Sequence, residues 1–383
     1  MKKNYENITY LDYNATSPLR EEAARAVMET MNAPHNASSV HSLGRAAYKI
    51  IEDAREDVAA LVHAPAAQVI FNSGATEGNN TVLRHFANER ILVSAIEHPS
   101  VLEAAPNAEK IPVTPDGVID LAALETLLKK KKTGLVSVML VNNETGVIQP
   151  TADISALARQ HGALVHCDGV QAAGRMVIDM RLSHVDFLTL SAHKMGGPQG
   201  VGALVLNLCG ITPTLLGGGG QEKKARAGTQ NTAGIAGFGA AAKKAAADLK
   251  KFISHTKELQ VKLELKLCKI NTGGNAVVIH SVNAPRISNT TLFSLPGAAS
   301  ETLLMAFDLE GIALSNGSAC SSGRVTSSHV LEAMGVAPDI SAGVLRVSTG
   351  WATTENDIEK FLAAWEKITA RLNQKKAPER KNA

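Results

Sequence analysis

The chain has 383 residues, 45% hydrophobic and 20% charged, with a formal net charge of +3, a profile that fits a globular protein with two domains or one large domain and a smaller lobe. Aromatic residues make up only 4%, and the basic residues gather at Lys129 to Lys132, at Lys250 and Lys251 and in the tail from Lys375 to Lys381, so a base-stacking nucleic-acid surface is excluded and the clusters read as solvated helix ends and a terminus. No run approaches the ~18 apolar residues of a membrane helix, and Met1 to Asn7 lacks the apolar core of a signal peptide, so no membrane association is expected and the expected location is cytoplasmic.

Leu43, Ala47, Ile50, Ile51, Ala54, Val58, Leu61 and Val62 fall on one stripe, which predicts a helix over 43–62. Short apolar runs follow at 69–71, 91–93, 135–141, 163–167, 187–190 and 202–206. Helical stretches such as Leu121 to Leu128 and Ile154 to His161 lie between most of them. This alternation predicts an α/β fold with a mainly parallel, helix-covered central sheet. From Gly234 to Leu267 the chain is rich in Ala, Lys and Leu, which predicts long helices leaving the sheet. Strands at 275–280, 290–295 and 345–348 and a closing helix over 355–372 then form a smaller α+β C-terminal lobe, joined by the first residues of the chain. The expected boundaries are 16–250 for the large domain, with 1–15 and 251–383 making the small one.

Chemistry-bearing residues recur where apolar strands end, which is where an open α/β sheet binds its ligands. Lys194 stands where the run from Phe187 breaks into a glycine-rich turn. Alone it reads as a solvated strand-end lysine. Ser191 and His193 beside it are phosphate donors, and Asp168 ends the preceding strand. An amine for a Schiff base, phosphate donors and an acid facing a ring nitrogen are the parts that pyridoxal phosphate (PLP) chemistry needs. After the run 69–71, the backbone amides near Ala75 and the Thr76 hydroxyl would hold a phosphate at a helix N-terminus; equally, Thr76 would cap that helix. Asn143 and Gln171 follow strands as donors to a ring oxygen, or as turn residues. His98 precedes Pro99 and reads either as a helix cap or as a ring that stacks on a cofactor and moves protons.

The glycine-rich loop Leu216 to Asn231 carries Thr229 and reads as a surface turn or as a phosphate-binding loop acting across a subunit boundary. Arg346 lies inside the apolar segment Val344 to Val347, so it meets either a structural carboxylate or a substrate carboxylate. The four cysteines show no C-x-x-C spacing, so they read as free thiols, and no metal site is expected. Cys167 and Cys268 occupy apolar patterns and are expected to be buried, while Cys209 sits at a strand end. Cys320 lies in the small polar run Ser315 to Gly323 and is the thiol expected to be exposed and reactive.

Together these segments resemble the cysteine desulfurases of the class V aminotransferase family, PLP enzymes of the type I fold. The resemblance runs from Tyr10-Leu-Asp-Tyr-Asn-Ala-Thr through Ser73-Gly-Ala-Thr-Glu77, Glu97-His98, His166-Cys-Asp-Gly-Val-Gln171 and Ser191-Ala-His-Lys194 to Arg226-Ala-Gly-Thr229, Ser318-Ala-Cys320 and Leu345-Arg-Val-Ser348. It implies that Lys194 is the Schiff-base lysine, Asp168 the partner of the pyridine nitrogen and His98 the stacking histidine. Ala75, Thr76, Ser191, His193 and the neighbouring subunit's copy of Thr229 would bind phosphate, Asn143 and Gln171 the ring oxygen, and Arg346 with Asn14 and Asn143 the substrate. Cys320 would carry a persulfide, on the extended loop of one family branch. Ala37, Ser17, Gly169 and Arg286 depart from the family pattern, the last near the expected substrate pocket.

The implied reaction converts L-cysteine to L-alanine and passes the sulfur to an acceptor protein such as an iron–sulfur scaffold or a tRNA-thiolation relay, the enzyme being a homodimer. A PLP-dependent selenocysteine or C–S lyase, or an aminotransferase that does not use Cys320, is the alternative within the same cofactor class. A non-catalytic assembly platform is the alternative outside it.

Overall fold

The computed structural model describes residues 8–34, 36–207, 210–270, 276–317 and 328–376. Its strands are β1 (Thr9–Tyr10), β2 (Val69–Asn72), β3 (Ile91–Ser94), β4 (Glu109–Ile111), β5 (Leu135–Ser137), β6 (Leu164–Asp168), β7 (Phe187–Ser191), β8 (Gly202–Leu206), β9 (Val278–Ile279), β10 (Thr290–Ser294), β11 (Ile312–Ala313) and β12 (Val344–Ser348). The α-helices are α1 (Glu21–Met31), α2 (Ser42–Leu61), α3 (Ala75–His85), α4 (Pro99–Leu102), α5 (Leu121–Lys130), α6 (Thr151–Gln160), α7 (Met180–Ser183), α8 (Thr232–Leu267), α9 (Ser300–Leu309), α10 (His329–Ala333), α11 (Pro338–Ser341) and α12 (Glu355–Lys376).

The central sheet has seven strands in the order β2-β8-β7-β6-β5-β3-β4. The pairs from β7 to β4 are parallel, whereas β8 runs antiparallel to both β7 and β2. The sheet is therefore mainly parallel, as expected, with one reversed strand. β4 escapes the sequence reading because it is a short edge strand in which Glu109 and Lys110 are exposed. The run 135–141 is a strand only to Ser137. Beyond it the N–H groups of Val138 and Leu140 still donate to the His166 and Asp168 carbonyls, so the chain continues beside β6 as irregular pairing.

Apolar side chains from α2, α6 and the first half of α8 pack on one face of this sheet, and those of α3, with Val101, on the other. α8 is one helix of 36 residues where several were expected. Ile235, Phe238, Ala241, Ala242 and Ala245 join the sheet core, while Leu259, Leu263 and Leu267 join a second core around Phe293, Phe307, Phe361 and Trp365. At ~1.5 Å per residue such a helix spans roughly 54 Å, long enough to tie the two cores together. The second core is roofed by β9, β10 and β12, with the parallel pair of β1 and β11 alongside. Cys167 is buried as expected, but Cys268 is exposed. It caps α8 just past Leu267, where the apolar stripe ends and its side chain leaves the core.

Candidate active site

The carboxyl ends of β2, β6 and β7 and the segments after β3 and β5 meet the segment after β1 and Arg346 of β12 around a cavity of about 710 Å³. Asn14, Ala75, Thr76, His98, Asn143, Asp168, Gln171, Ser191, His193, Lys194 and Arg346 all line it. Residues more than 300 positions apart in the chain therefore share one site. Thr229 is exposed and lies outside this cavity. Cys320, like Cys209, falls outside the described residues, although Ser315 and Gly317 just before the Cys320 segment line the cavity.

Asp168 ends β6 as a buried carboxylate. Its Oδ1 accepts from the Val170 amide at 3.0 Å and its Oδ2 from Asn79 Nδ2 at 2.9 Å. The same Asn79 amide donates to Ser100 Oγ, which lies 2.8 Å from His98 Nδ1. His98 does cap α4, accepting from the Ser100 amide at 3.1 Å, and it also lines the cavity. Burial pushes its pKa below the usual histidine range, helped by Lys194 and His329 and opposed by Asp168. The neutral form of the imidazole is thus favoured beside a carboxyl group fixed by two hydrogen bonds. Directly after Asp168, a Cβ on Gly169 would lie 2.6 Å from Leu188 Cδ1, the movable end of a leucine side chain, so a small side chain is accommodated there by a shift of Leu188.

β7 is buried along its length and delivers Lys194 into a 3₁₀ turn, Ala192–Lys194, at its end. Lys194 Nζ donates to the carbonyls of Asn14 at 2.5 Å and Ala15 at 2.7 Å. Neither is an acid. Burial, followed by the charges of Arg175 and Arg346, lowers its pKa to about 7, against the opposing pull of Asp12 and Asp168. A substantial fraction of this lysine is therefore an unprotonated amine near neutral pH. Ser17, one of the departures from the family pattern, donates its hydroxyl to the Lys194 carbonyl at 2.7 Å.

Arg346 meets a structural carboxylate and also lines the cavity. Its Nη2 pairs with Asp12 Oδ1 at 2.7 Å and its Nη1 donates to the Asn143 carbonyl at 2.9 Å, while its buried Nε has no partner among the described residues. Asn14 Nδ2 donates to the Asn143 carbonyl and to Thr290 Oγ1, tying the substrate-side residues together. Asn142, by contrast, is a turn residue whose Oδ1 accepts from the Glu144 and Thr145 amides. Arg286 does not line the cavity; its guanidinium pairs with Glu264 at 2.9 Å.

At the opposite end of the cavity α3 begins. Gly74 is its N-cap with φ +149°, a backbone that glycine adopts readily and other residues do not, and Thr76 does not cap the helix. The first amides of a helix have no intrahelical partner, and Ala75, Thr76 and Glu77 line the cavity at that point. Helix-start amides suited to a phosphate, a buried carboxyl group suited to a ring nitrogen and a lysine whose pKa is lowered to about 7 line the same cavity. The donor set therefore suits PLP. Asn79, Ser100, Asp12 and Arg175 take part in the network without having been singled out in the sequence, since each reads there as an ordinary helix or turn residue.

A model of the family described as Aminotransferase class-V matches residues 9–361. A protein named cysteine desulfurase IscS from Dictyoglomus turgidum is 36% identical over 377 residues, covering 95% of each chain. Among solved structures, a NifS-like protein from Rickettsia africae superposes with a TM-score of 0.88 at 36% identity, covering 95% of this chain and 99% of that one. The structure titled SspA in complex with cysteine superposes with a TM-score of 0.75 at 26% identity, covering 89% of this chain and 98% of that one.

Proposed function

The chain belongs to the class-V aminotransferase family and, within it, to the cysteine desulfurases, and on that footing we propose that it converts L-cysteine to L-alanine with the sulfur carried as a persulfide on Cys320. The observation that carries the reading is the meeting of Lys194, Asp168, His98 and Arg346 in one cavity whose wall leads into the Cys320 segment. PLP would be held by the amides of Ala75 and Thr76, by Ser191, His193 and the partner subunit's Thr229 at its phosphate, by Asn143 and Gln171 at its ring oxygen and by Asp168 at its nitrogen. When bound, PLP supplies an electron sink for the carbanion at the substrate Cα.

Arg346, a guanidinium in the cavity wall, receives the substrate carboxylate. Lys194, whose pKa of about 7 leaves a substantial fraction unprotonated near neutral pH, is first the attachment point and then, once released, the base that takes the Cα proton. Asp168 would sit against the ring nitrogen and favour its protonation, while His98, whose pKa burial lowers, would pass protons. The Cys320 thiolate attacks the substrate sulfur; an S–S bond forms, the C–S bond breaks, and its electron pair stays with the substrate carbon, which is protonated. L-Cysteine and one enzyme thiol thus become L-alanine and one enzyme persulfide.

In this reading residues 16–250 form the PLP-binding domain and residues 1–15 with 251–383 the small domain that carries the cysteine segment. The enzyme works as a homodimer, in keeping with the exposed apolar side chains of Met28, Met31, Val40, Leu43 and Tyr48 on and near α1 and α2. It delivers sulfur to an acceptor protein such as an iron–sulfur scaffold, in the cytoplasm; among the described residues no helix is long and apolar enough to cross a membrane. The test is Cys320→Ala: the variant should still change its visible absorption on adding L-cysteine but form no persulfide and release no L-alanine. Undiminished alanine and sulfide production by the variant would overturn the role of Cys320.

A further inference from the structure

Arg175 lies in the turn after β6 and is buried, yet it does not line the cavity. Its Nη1 donates to Asn14 Oδ1 at 2.6 Å and also to Gln171 Oε1; its Nη2 donates to the Tyr13 carbonyl at 3.0 Å and the Lys194 carbonyl at 3.2 Å. All four acceptors are neutral oxygens. A buried guanidinium without a carboxylate is costly, and two of the residues it holds, Asn14 and Gln171, are cavity-lining amides. Accepting from Arg175 fixes which way each amide faces: Gln171 Nε2 donates to the Asn14 carbonyl at 3.0 Å, the oxygen that also accepts from Lys194 Nζ. One guanidinium thus sets the orientation of both amides and of the carbonyl that holds the reactive amine.

We infer that Arg175 is a positioning residue for the desulfurase reaction, orienting Asn14 and Gln171 and placing a fixed positive charge behind the Lys194 amine. The inference rests on Lys194 being the residue that bonds PLP. The charged groups acting on Lys194 are Arg175 and Arg346, which disfavour its protonation, and Asp12 and Asp168, which favour it; His98 and His193 adjoin it and are themselves held neutral by burial. Arg175 comes first among the charges that push the lysine down. Lysine at 175 would keep the charge but cannot span four acceptors with one ammonium, whereas methionine would fill similar space and remove both functions.

The experiment titrates the visible absorption of the full-length, PLP-loaded protein from acid to alkaline pH, with kcat/KM for L-cysteine measured alongside. Arg175→Met should move the absorption half-point up by roughly 1 pH unit, because a nearby cation no longer opposes protonation. Arg175→Lys should keep the parent half-point while kcat/KM falls about tenfold. A loaded Arg175→Met protein that titrates at the parent pH overturns the inference. So does an Arg175→Lys protein with parent kinetics or a half-point displaced upward, and this variant decides alone if Arg175→Met does not fold. Failure of the underlying reading looks different: a parent protein without a visible band, or a band that persists in Lys194→Ala.

Discussion

Replacing Arg346 with alanine removes a buried guanidinium from the cavity wall, one that still has an unpartnered nitrogen among the described residues. A substrate carboxylate there gains a charge-assisted hydrogen bond worth about 1.5–3 kcal/mol, so kcat/KM for L-cysteine should fall about 10- to 150-fold. Because the carboxylate is held equally before and during the reaction, the loss should appear mainly in KM. The substitution also strands Asp12, whose Oδ1 pairs with Nη2 at 2.7 Å and whose side chain is 19% exposed. Partial exposure makes that second cost smaller than for a fully buried ion. The double variant Arg346→Ala with Asp12→Asn separates the two: thermal stability should return toward the parent value, while KM should remain high. Release of L-alanine is the assay. A single variant within threefold of the parent in kcat/KM, or a double variant that recovers KM, would refute substrate binding by Arg346.

The glycine-rich loop is tied to the sheet by Glu222, which accepts from Arg55 at 2.7 and 3.0 Å, from the Phe71 amide and from Gln230. Glu222→Ala should destabilise the protein by about 1–3 kcal/mol, because Arg55 loses its buried carboxylate and the Phe71 amide its acceptor while Glu52 at 3.0 Å and the Val69 carbonyl still hold the guanidinium; a shift in urea unfolding of less than ~0.5 kcal/mol would contradict this. In the same loop Lys224 has φ +70°, a strained backbone for a side chain with a Cβ, so Lys224→Gly should stabilise by about 0.5–1 kcal/mol, and a lowered melting temperature would count against it. His166, held between Ser137 and Thr189, and His280 are buried and neutral, each lowered by burial from 6.5 to about 4. Below pH 6.5 the unfolded chain takes up protons that the folded one refuses, so stability is full above pH 6.5 and is lost as pH falls toward 4, by on the order of 3 kcal/mol for each histidine. Urea midpoints that stay level between pH 6.5 and 4.5 would refute the assignment.

The parts of the site that are legible in the sequence are those whose meaning is local. Lys194, Ser191 and His193 belong to one strand end, and Asp168 stands at the end of another. The reversed direction of β8 left no such trace, because a strand buried on both faces shows the same apolar run whether it runs parallel or antiparallel. β4 was hidden by its exposed Glu109 and Lys110, and Cys268 misled because its apolar neighbours continue to the residue before it while the helix core does not. Asn79 reads as a polar helix position and Arg175 as a solvated turn residue, since only the folded chain brings Asp168 to the first and Asn14 to the second.

The same distinction bears on what makes Lys194 reactive. Its neighbours in sequence account for its place at a strand end and for nothing that would take away its proton. Its amine rests on carbonyls of residues 14 and 15, and the cations that disfavour its charge are at 175 and 346. The first two follow β1, the third follows β6, and the last lies on β12, so the pKa of this lysine depends on the sheet core and the second core being assembled against each other. An arrangement that displaced β1 and β12 from the sheet would leave Lys194 in place on β7 and return it toward an ordinary, protonated lysine. The lowered pKa of the amine is therefore a property of the two cores together, even though the lysine itself belongs to one of them.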